Sequence, residues 1–360
     1  MKSMFKMVST GLNLLIAAGL IAGCDSKDTK PAAAPAVEKK VEAKVIKAGI
    51  GLNDQSPQYK GLLKFKEILE AESKGRYEVN LFASSQLGDD TKMMTSLRAG
   101  TLEMTCPSTA PIAGLDKKWM VFDLPFLFPD EEVADKVLDG PFGQQYLTSL
   151  ADHGIIGMAY WENGFRQLTN NVHEIKTPAD LKGLKIRTME NPVHLATFRG
   201  MGANPTPMPF GELFSALQQK TIDGQENPST SNFLQKFYEV QKFSTLSNHF
   251  YSPFVFMYSK KIWDTYPKED QDLILKAARE AGLYQRKINR DTMGDAVAGM
   301  EKAGMTVTRL TPEQHQAFMD ATKEIAPQFE ADLGTDNVKA IRAEIEKAVK
   351  VGSFLTRCAQ

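Results

Sequence analysis

The sequence predicts an α/β protein with two lobes and a helical C-terminal third. Strand-like and helix-like segments alternate between residues 45 and 106, and the alternation returns between residues 154 and 258. Beyond residue 260 the apolar residues recur mostly at helical spacing. Such alternation favours parallel strands joined by helical crossovers. A body of about 315 residues is long enough for two hydrophobic cores.

The N-terminal residues have the pattern of an export signal. Lys2 and Lys6 precede an apolar stretch at 12–22, which is shorter than the roughly 20 apolar residues that cross a bilayer. The stretch runs into Leu-Ile-Ala-Gly-Cys at 20–24, which resembles a bacterial lipobox. We expect residues 1–23 to be a lipoprotein signal peptide and Cys24 to carry the lipid. An ordinary signal peptide with an incidental cysteine is the alternative.

Residues 24–44 have the composition of a tether. After Cys24 they are mainly Ala, Pro, Lys, Glu and Asp, with few large apolar side chains. Such a segment cannot bury enough surface to offset its ordering entropy. We therefore expect a disordered linker that holds a monomeric body away from the membrane.

Composition restricts the function of the body. The net charge of −1 gives no electrostatic reason to expect nucleic acid as a partner. Apart from Cys24, only Cys106 and Cys358 are cysteines. They could form a pair, but no feature of the sequence brings them together, so a buried free thiol at Cys106 is the simpler interpretation.

The first lobe is predicted from five elements. The helices carry apolar residues at helical spacing. The second helix begins with acidic residues, which its dipole favours, and Gly100 follows its C-terminal end, where glycine is a common cap. In order, the elements are a strand at 44–50, a helix at 59–73, a strand at 77–82, a helix at 89–99 and a strand at 101–106.

The second lobe and the C-terminal third follow the same reasoning. Thr177 and Pro178 favour the start of a short helix, as N-cap and first helical residue. The predicted strands are 154–161, 184–188, 203–207, 221–227, 254–258 and 305–309, and the predicted helices are 192–201, 210–219, 268–302 and two that begin at Pro312 and Thr335.

Signatures of catalysis, cofactors and metals are absent or broken. The Gly-x-Gly runs at 49–51 and 200–202 have Asp54 and Pro205 where a dinucleotide fingerprint needs its last glycine. The sequence lacks a Walker lysine loop, a Gly-x-Ser-x-Gly elbow and a Cys-x-x-Cys pair, and its five histidines lack metal-ligand spacing. We predict a binding protein without cofactor or metal, not an enzyme.

Two arginines lie at predicted strand ends, where an α/β lobe binds its ligands. Arg166 follows the strand that ends at Trp161, and Arg187 ends the strand Leu-Lys-Ile-Arg. The planar guanidinium fork pairs with a carboxylate through two parallel hydrogen bonds. The two arginines therefore predict a carboxylate site, whereas solvated surface charges are the alternative.

Several motifs resemble the solute receptors of tripartite ATP-independent periplasmic (TRAP) transporters, in the DctP family. They are Leu-Lys-Gly-Leu-Lys-Ile-Arg at 181–187, Gly-Ala-Asn-Pro-Thr-Pro-Met at 202–208 and Asp-Gly-Gln-Glu-Asn-Pro at 223–228, with Ser-Ser-Gln-Leu-Gly at 84–88 and Lys-Phe-Tyr-Glu-Val-Gln at 236–241. The similarity covers nearly all of residues 45–350.

The resemblance implies a type II periplasmic-binding-protein fold: two α/β lobes, a ligand cleft between them and a long helix that spans both. Lobe I would comprise residues 45–165, completed by about 255–300. Lobe II would comprise residues 166–254, completed by parts of 301–360.

The resemblance also implies binding residues. The family's carboxylate-binding arginine falls on Arg187, an assisting arginine falls on Arg166, and Asn227 resembles a ligand contact. Further candidates are polar residues near strand ends and an aromatic wall, whose rings could equally belong to the core: Gln58, Ser108, Thr109, Glu190, Trp161, Phe210, Phe250 and Tyr251. Sialic-acid receptors of the family carry an acidic residue near Ser108, so its absence argues against sialic acid.

The expected function is that of an exported receptor for a small organic carboxylate: a dicarboxylate, a 2-oxo acid, or an aromatic or sugar acid. It would deliver this ligand to a sodium-coupled TRAP permease. We expect it in the periplasm, lipid-anchored to the inner membrane, or on the outer face of the cytoplasmic membrane in a host without an outer membrane. A receptor serving a signalling protein, an exported α/β enzyme on small acids and a lipoprotein scaffold are the alternatives.

Overall fold

The computed structural model describes the backbone of residues 42–358 and the side chains as far as residue 350. The predicted signal peptide, Cys24, nearly all of the tether and the side chain of Cys358 lie outside the described residues. None of the helices in the described range is long and apolar enough to span a membrane.

Strands and helices alternate through most of the described range. The strands are β1 Lys44–Gly49, β2 Tyr77–Phe82, β3 Met104–Thr105, β4 Ile155–Asn170, β5 Lys185–Thr188, β6 Asn204–Pro207, β7 Gly224–Pro228, β8 Phe243–Leu246, β9 Tyr251–Ser259 and β10 Thr306–Arg309. The α-helices are α1 Pro57–Glu72, α2 Asp90–Ala99, α3 Glu131–Asp139, α4 Pro141–Ser149, α5 Pro192–Gly200, α6 Phe210–Gln218, α7 Ser229–Leu234, α8 Lys260–Trp263, α9 Lys268–Lys302, α10 Pro312–Thr322, α11 Ile325–Gln328, α12 Glu330–Leu333 and α13 Thr335–Cys358.

Strand β4 joins the two halves of the sheet. The strand order is β2-β1-β3-β9-β4-β7-β5-β6, and β8 pairs with both β4 and β10. The first part of β4, from Ile155 to Phe165, pairs antiparallel with β9, whereas its last five residues pair antiparallel with β7. The predicted parallel pairings occur at both ends of the sheet, where β1 lies between β2 and β3 and β5 lies between β6 and β7.

The long helix α9 packs closely on β4 through Trp161. The indole stacks on Phe256 with 4.6 Å between ring centroids, and its Nε1 donates to the carbonyl oxygen of Ala278 at 3.2 Å. A Cβ atom at Gly282 of α9 would lie only 2.7 Å from Trp161 Nε1, and one at Gly61 of α1 would lie 2.6 Å from Trp161 Cζ3. Both helices therefore need glycine where they meet the indole.

Most predicted elements are present, two of them differ markedly in length, and some elements were not predicted. The long helix 268–302 is confirmed with its predicted bounds. The predicted strand 101–106 shortens to the two residues of β3. Strand β4 does not end at Trp161 but continues to Asn170, so Arg166 lies within a strand and not in the predicted loop. Helices α3 and α4 occupy a region for which the sequence predicted no element.

Candidate functional site

A cavity lies where the carboxyl ends of β1, β3, β5 and β7 approach the middle of β4, as the strand-end rule predicts. Its walls come from the loop after β1, the start of α2, residues after β3, the middle of β4, the end of β5, the turn before α6 and β7. The lining residues are Ile50, Gly51, Leu52, Ser85, Asp89, Asp90, Thr91, Cys106, Ser108, Pro111, Asn163, Arg166, Arg187, Met189, Glu190, Met208, Pro209, Phe210, Asn227 and Phe254.

Arg187 reaches the cavity from β5 and is 2 % exposed. Its Nε and Nη2 both donate to the carbonyl oxygen of Met208, at 3.0 and 2.7 Å, and its guanidinium carbon lies 6.0 Å from the ring centroid of Phe210. Its Nη1 is buried and has no partner among the described residues. Burial lowers the pKa of Arg187 to about 10, so the group remains charged at neutral pH. Within residues 42–350, Arg187 forms no ion pair.

Arg166 is fully buried and, unlike Arg187, has a carboxylate partner. It forms an ion pair with Glu226, and its Nη2 also donates to the backbone oxygen of Glu226 at 2.6 Å and to Asn227 Oδ1 at 3.2 Å. His249 Nε2 lies 3.1 Å from the same carboxylate. Although burial disfavours the ionised carboxylate, Arg166 and His249 hold the pKa of Glu226 well below its usual range.

The two arginines therefore leave one buried cation uncompensated. The Nη1 of Arg166 is also buried and without a partner in the part of the chain that the structure describes. A buried donor without an acceptor costs about 1–3 kcal/mol. An anionic group with two acceptor oxygens can satisfy both Nη1 atoms and compensate Arg187. The alternative, that these arginines are solvated surface charges, is wrong because both are buried.

Comparison with known proteins identifies the family. The model of the DctP family, described as bacterial extracellular solute-binding protein, family 7, matches residues 48–332. The chain belongs to this family.

Relatives of this receptor bind carboxylates and sugar acids. The 2,3-diketo-L-gulonate-binding periplasmic protein YiaO of Escherichia coli is 39% identical over 302 residues, which cover 83% of this chain and 92% of that protein. The C4-dicarboxylate-binding periplasmic protein DctP of Rhodobacter capsulatus is 34% identical over 301 residues, covering 83% of this chain and 90% of that protein.

Solved structures show the same fold. The sugar acid binding protein DctPAm of Advenella mimigardefordensis, in complex with galactonate, superposes with a TM-score of 0.84 and 43% identity, covering 86% of this chain and 99% of that one. A TRAP periplasmic solute binding protein from Polaromonas, bound to D-erythronate, gives a TM-score of 0.81 and 37% identity, covering 83% and 98%. The predicted type II fold and the resemblance to TRAP receptors are confirmed.

Acidic groups of this family 7 receptor face the same cavity as its arginines. Asp89 caps α2, since its Oδ1 accepts from the backbone N–H of Lys92 at 2.8 Å. Asp90, the next residue, lines the cavity, and burial together with the neighbouring charge of Asp89 raises its pKa to about 7, while Arg187 opposes the rise. Glu190 is exposed at the cavity. Glu190 is one of the predicted binding residues, whereas neither aspartate was predicted.

Six of the eleven predicted binding residues line the cavity, and five do not. Those at the cavity are Arg166, Arg187, Asn227, Ser108, Glu190 and Phe210. Ser108 donates to the sulfur of Met189 at 3.1 Å. Gln58 and Thr109 are instead buried beside other parts of the protein: Gln58 Nε2 donates to the backbone oxygen of Glu162 at 2.9 Å, and Thr109 Oγ1 donates to Asp123 Oδ1 at 3.2 Å.

The predicted aromatic wall needs correction as well. Trp161 packs between β9 and α9, and the hydroxyl of Tyr251 donates to Glu162 Oε2 at 3.0 Å. Phe250 stacks on His194 with 4.1 Å between centroids. These three rings are almost fully buried and pack in the hydrophobic core, and none of them is among the residues that line the cavity. Phe254, which no motif indicated, lines it together with Phe210.

No group of His, Cys, Asp and Glu in the described part of the chain is arranged to hold a metal ion. Cys106 is a buried free thiol, as the simpler interpretation predicted, and burial raises its pKa well above its usual range.

Proposed function

We propose that the protein is an extracytoplasmic receptor that binds a hydroxylated carboxylate, a sugar acid, and delivers it to a sodium-coupled TRAP permease. One observation carries this proposal: two buried arginines line one cavity, each has an Nη1 atom without a hydrogen-bond partner among the described residues, and Arg187 forms no ion pair there. A carboxylate supplies two acceptors and the missing negative charge.

The acidic side chains support a sugar acid over a C4-dicarboxylate. Asp90 and Glu190 line the cavity that holds Arg187. A second carboxylate on the ligand would be repelled by these acids, whereas a hydroxyl group can donate a hydrogen bond to them. Relatives that bind galactonate, D-erythronate and 2,3-diketo-L-gulonate agree with this choice, although others bind succinate.

Capture would involve closure of the two proposed lobes, residues 45–165 and 166–254 with their C-terminal complements. Asn53 Nδ2 donates to the backbone oxygen of Leu234 at 2.8 Å, and Ser108 contacts Met189, so each contact joins a residue of one proposed lobe to a residue of the other. Ligand contacts made only in the closed form would shift the equilibrium toward it.

Asn227, which accepts from Arg166, would help to hold the bound carboxylate.

A screen of organic acids by thermal shift and calorimetry tests the function. The mature protein is measured with D-galactonate, D-erythronate, 2,3-diketo-L-gulonate and succinate. A ligand at a hundred times its dissociation constant adds about 2.7 kcal/mol to the free energy of unfolding, so hydroxylated acids should raise the melting temperature. The proposal fails if none of the four acids binds.

Substitution of the uncompensated arginine tests the site. Arg187→Ala should weaken binding of the best ligand by at least about 2 kcal/mol, roughly 30-fold, because the bound carboxylate loses its buried partner. Arg199→Ala, which removes an exposed arginine from α5, is the matched control and should bind as the wild type does. Equal affinities of the two variants in calorimetry would refute the role of Arg187.

A further inference from the structure

Asn163 lines the cavity beside the two arginines, and no function has been assigned to it. The side chain is 4 % exposed. Its Nδ2 donates to Ser252 Oγ at 3.5 Å, whereas its Oδ1 has no partner among the described residues. A carboxylate ligand has no hydrogen to donate to an amide oxygen, but a hydroxyl group does. This oxygen therefore matches the hydroxylated part of a ligand.

A β-bulge directs Asn163 into the cavity. In a regular strand, residues three apart point to opposite faces, so Asn163 and Arg166 could not share a cavity. The register between β4 and β9 shifts between Glu162 and Gly164, and Gly164 has a φ of +111°, a conformation that favours glycine. The extra residue changes the direction of the following side chains, so both residues line one cavity.

Hydrogen bonds from two helices fix the backbone of the bulge. The N–H of Glu162 donates to Gln285 Oε1 of α9 at 2.8 Å. Its carbonyl oxygen accepts from Gln285 Nε2 at 2.8 Å and from Gln58 Nε2 of α1 at 2.9 Å. Gln58 thus holds the peptide that precedes Asn163.

An ion-pair network fixes the Glu162 side chain, which is 1 % exposed. Arg290 donates to Glu162 Oε2 through Nη2 at 2.6 Å and Nε at 2.9 Å, and Asn289 Nδ2 donates to Oε1 at 2.9 Å. Arg290 also forms a two-pronged pair with Asp135 of α3, at 2.9 Å for both contacts. Without Arg290, a buried carboxylate would lack its counter-charge, and the bulge would have to shift or admit water.

We propose that Asn163 is a specificity-determining residue that accepts a hydrogen bond from a ligand hydroxyl, and that Arg290 is a positioning residue that acts on it through Glu162. The inference rests on the proposed function, because it requires a carboxylate ligand that carries hydroxyl groups. It assigns part of the sugar-acid selectivity to a residue of β4, the strand that also supplies Arg166.

Calorimetry with D-galactonate on the mature chain tests the contact. Asn163→Ala should weaken binding about 10-fold, as expected for one lost hydrogen bond to a buried group. Circular dichroism and the melting temperature check that the variant folds. If it does not, Asn163→Leu, which keeps the side-chain volume, takes its place with the same expected loss.

A double-substitution cycle tests the positioning role. Arg290→Gln should also weaken D-galactonate binding, but it should have little further effect when Asn163 is already alanine. If Arg290 had only a structural role, the losses of binding free energy from the two substitutions would add. Arg309→Gln, which breaks the exposed pair between Arg309 and Glu301, is the matched control and should bind as the wild type does.

The outcomes separate this inference from the proposed function. If the wild type and Asn163→Ala bind D-galactonate with the same affinity, the role of Asn163 is refuted while the proposed function stands. Additive losses in the cycle overturn the positioning role of Arg290. Wild-type protein that binds succinate but no hydroxylated acid overturns the proposed ligand class, and the inference with it.

Discussion

At the residue scale, the cavity combines one compensated and one uncompensated arginine with a carboxyl group that titrates near neutral pH. Arg166 forms an ion pair with Glu226, whereas Arg187 donates to a backbone carbonyl oxygen, lies against a ring and forms no ion pair within residues 42–350. Asp90 lines the same cavity, and its pKa is raised to about 7. The net charge of the empty cavity therefore depends on pH in the physiological range.

Asp90 should make the ligand-free protein less stable as the pH rises. The folded protein holds the Asp90 proton up to a pH of about 7, but the unfolded chain releases it near about 3.9. Between these values the folded state binds more protons, so this group lowers the free energy of unfolding as the pH rises. Asp90→Asn cannot titrate. Its melting temperature relative to wild type should increase from about pH 4.5 to about pH 8, and a constant difference would contradict the raised pKa.

Asp89 provides a control, because its pKa is shifted in the opposite direction from that of Asp90. Although burial opposes it, the N–H and the ammonium group of Lys92 lower the pKa of Asp89. A carboxylate with a lowered folded-state pKa stabilises the protein above its unfolded pKa and loses that effect in acid. Asp89→Asn should therefore lower the melting temperature at neutral pH more than at about pH 4.

At the element scale, the contact between α9 and β4 depends on the absence of a side chain. Gly282 touches the indole of Trp161, whereas Gly294 of the same helix has nothing within 4 Å of an added Cβ. The two positions have the same helical backbone and different surroundings. They separate the effect of packing from the effect of helix propensity.

Gly282→Ala should destabilise the protein and Gly294→Ala should stabilise it. Overpacking at Gly282 is expected to cost about 1–3 kcal/mol, which exceeds the gain of up to about 1 kcal/mol that alanine gives in a helix interior. Gly294→Ala gains the propensity term alone. Urea unfolding measures both, and a stabilised Gly282→Ala variant would show that α9 can move away from Trp161 without cost.

The elements that the sequence predicted well are those whose signals are local. Helix α9 has apolar residues at helical spacing over its length, and β5 follows a turn glycine and lies within the predicted strand 184–188, so both were found. Strand β4 was ended too early because Glu-Asn-Gly at 162–164 has the composition of a turn. The backbone N–H and the carboxylate of Glu162 are instead held by Gln285 and Asn289, more than a hundred residues away in the chain.

The candidate site was partly predictable for the same reason. The arginine fork has a recognisable chemistry at strand ends, and Arg187 and Arg166 were found from it. Strand ends do not reveal which face a side chain occupies, and so Trp161 and Gln58 were assigned to the cavity wrongly while Asn163 was missed. The region 117–123 is a 3-10 helix whose last five residues are buried, and its sequence has no helical periodicity, so it was not predicted.

At the scale of the whole molecule, we propose that the receptor combines export and lipid anchoring with ligand capture. The family is extracellular, and the described residues form a body without a membrane-spanning helix. The proposed anchor at Cys24 precedes this body and lies outside the described residues. It would keep the receptor near its permease while the body remains in the aqueous compartment.

Cys24→Ser should release the protein from the membrane fraction. A serine cannot receive the thioether-linked lipid, so the exported chain should appear in the soluble periplasmic fraction after cell fractionation. Asp25→Ser, which leaves the cysteine in place, should stay membrane-bound and serves as the control. A Cys24→Ser chain that still sediments with membranes would exclude the lipobox.

The indole of Trp161 can serve as an intrinsic fluorescent probe of conformational change. It lies between an aromatic ring and a helix backbone, and its N–H is bound to that helix. Any shift of the helix along the strand changes the polarity around the chromophore and hence its emission. In a chain whose other two tryptophans are replaced by phenylalanine, the fluorescence of Trp161 should change if α9 moves relative to β4 when the ligand binds.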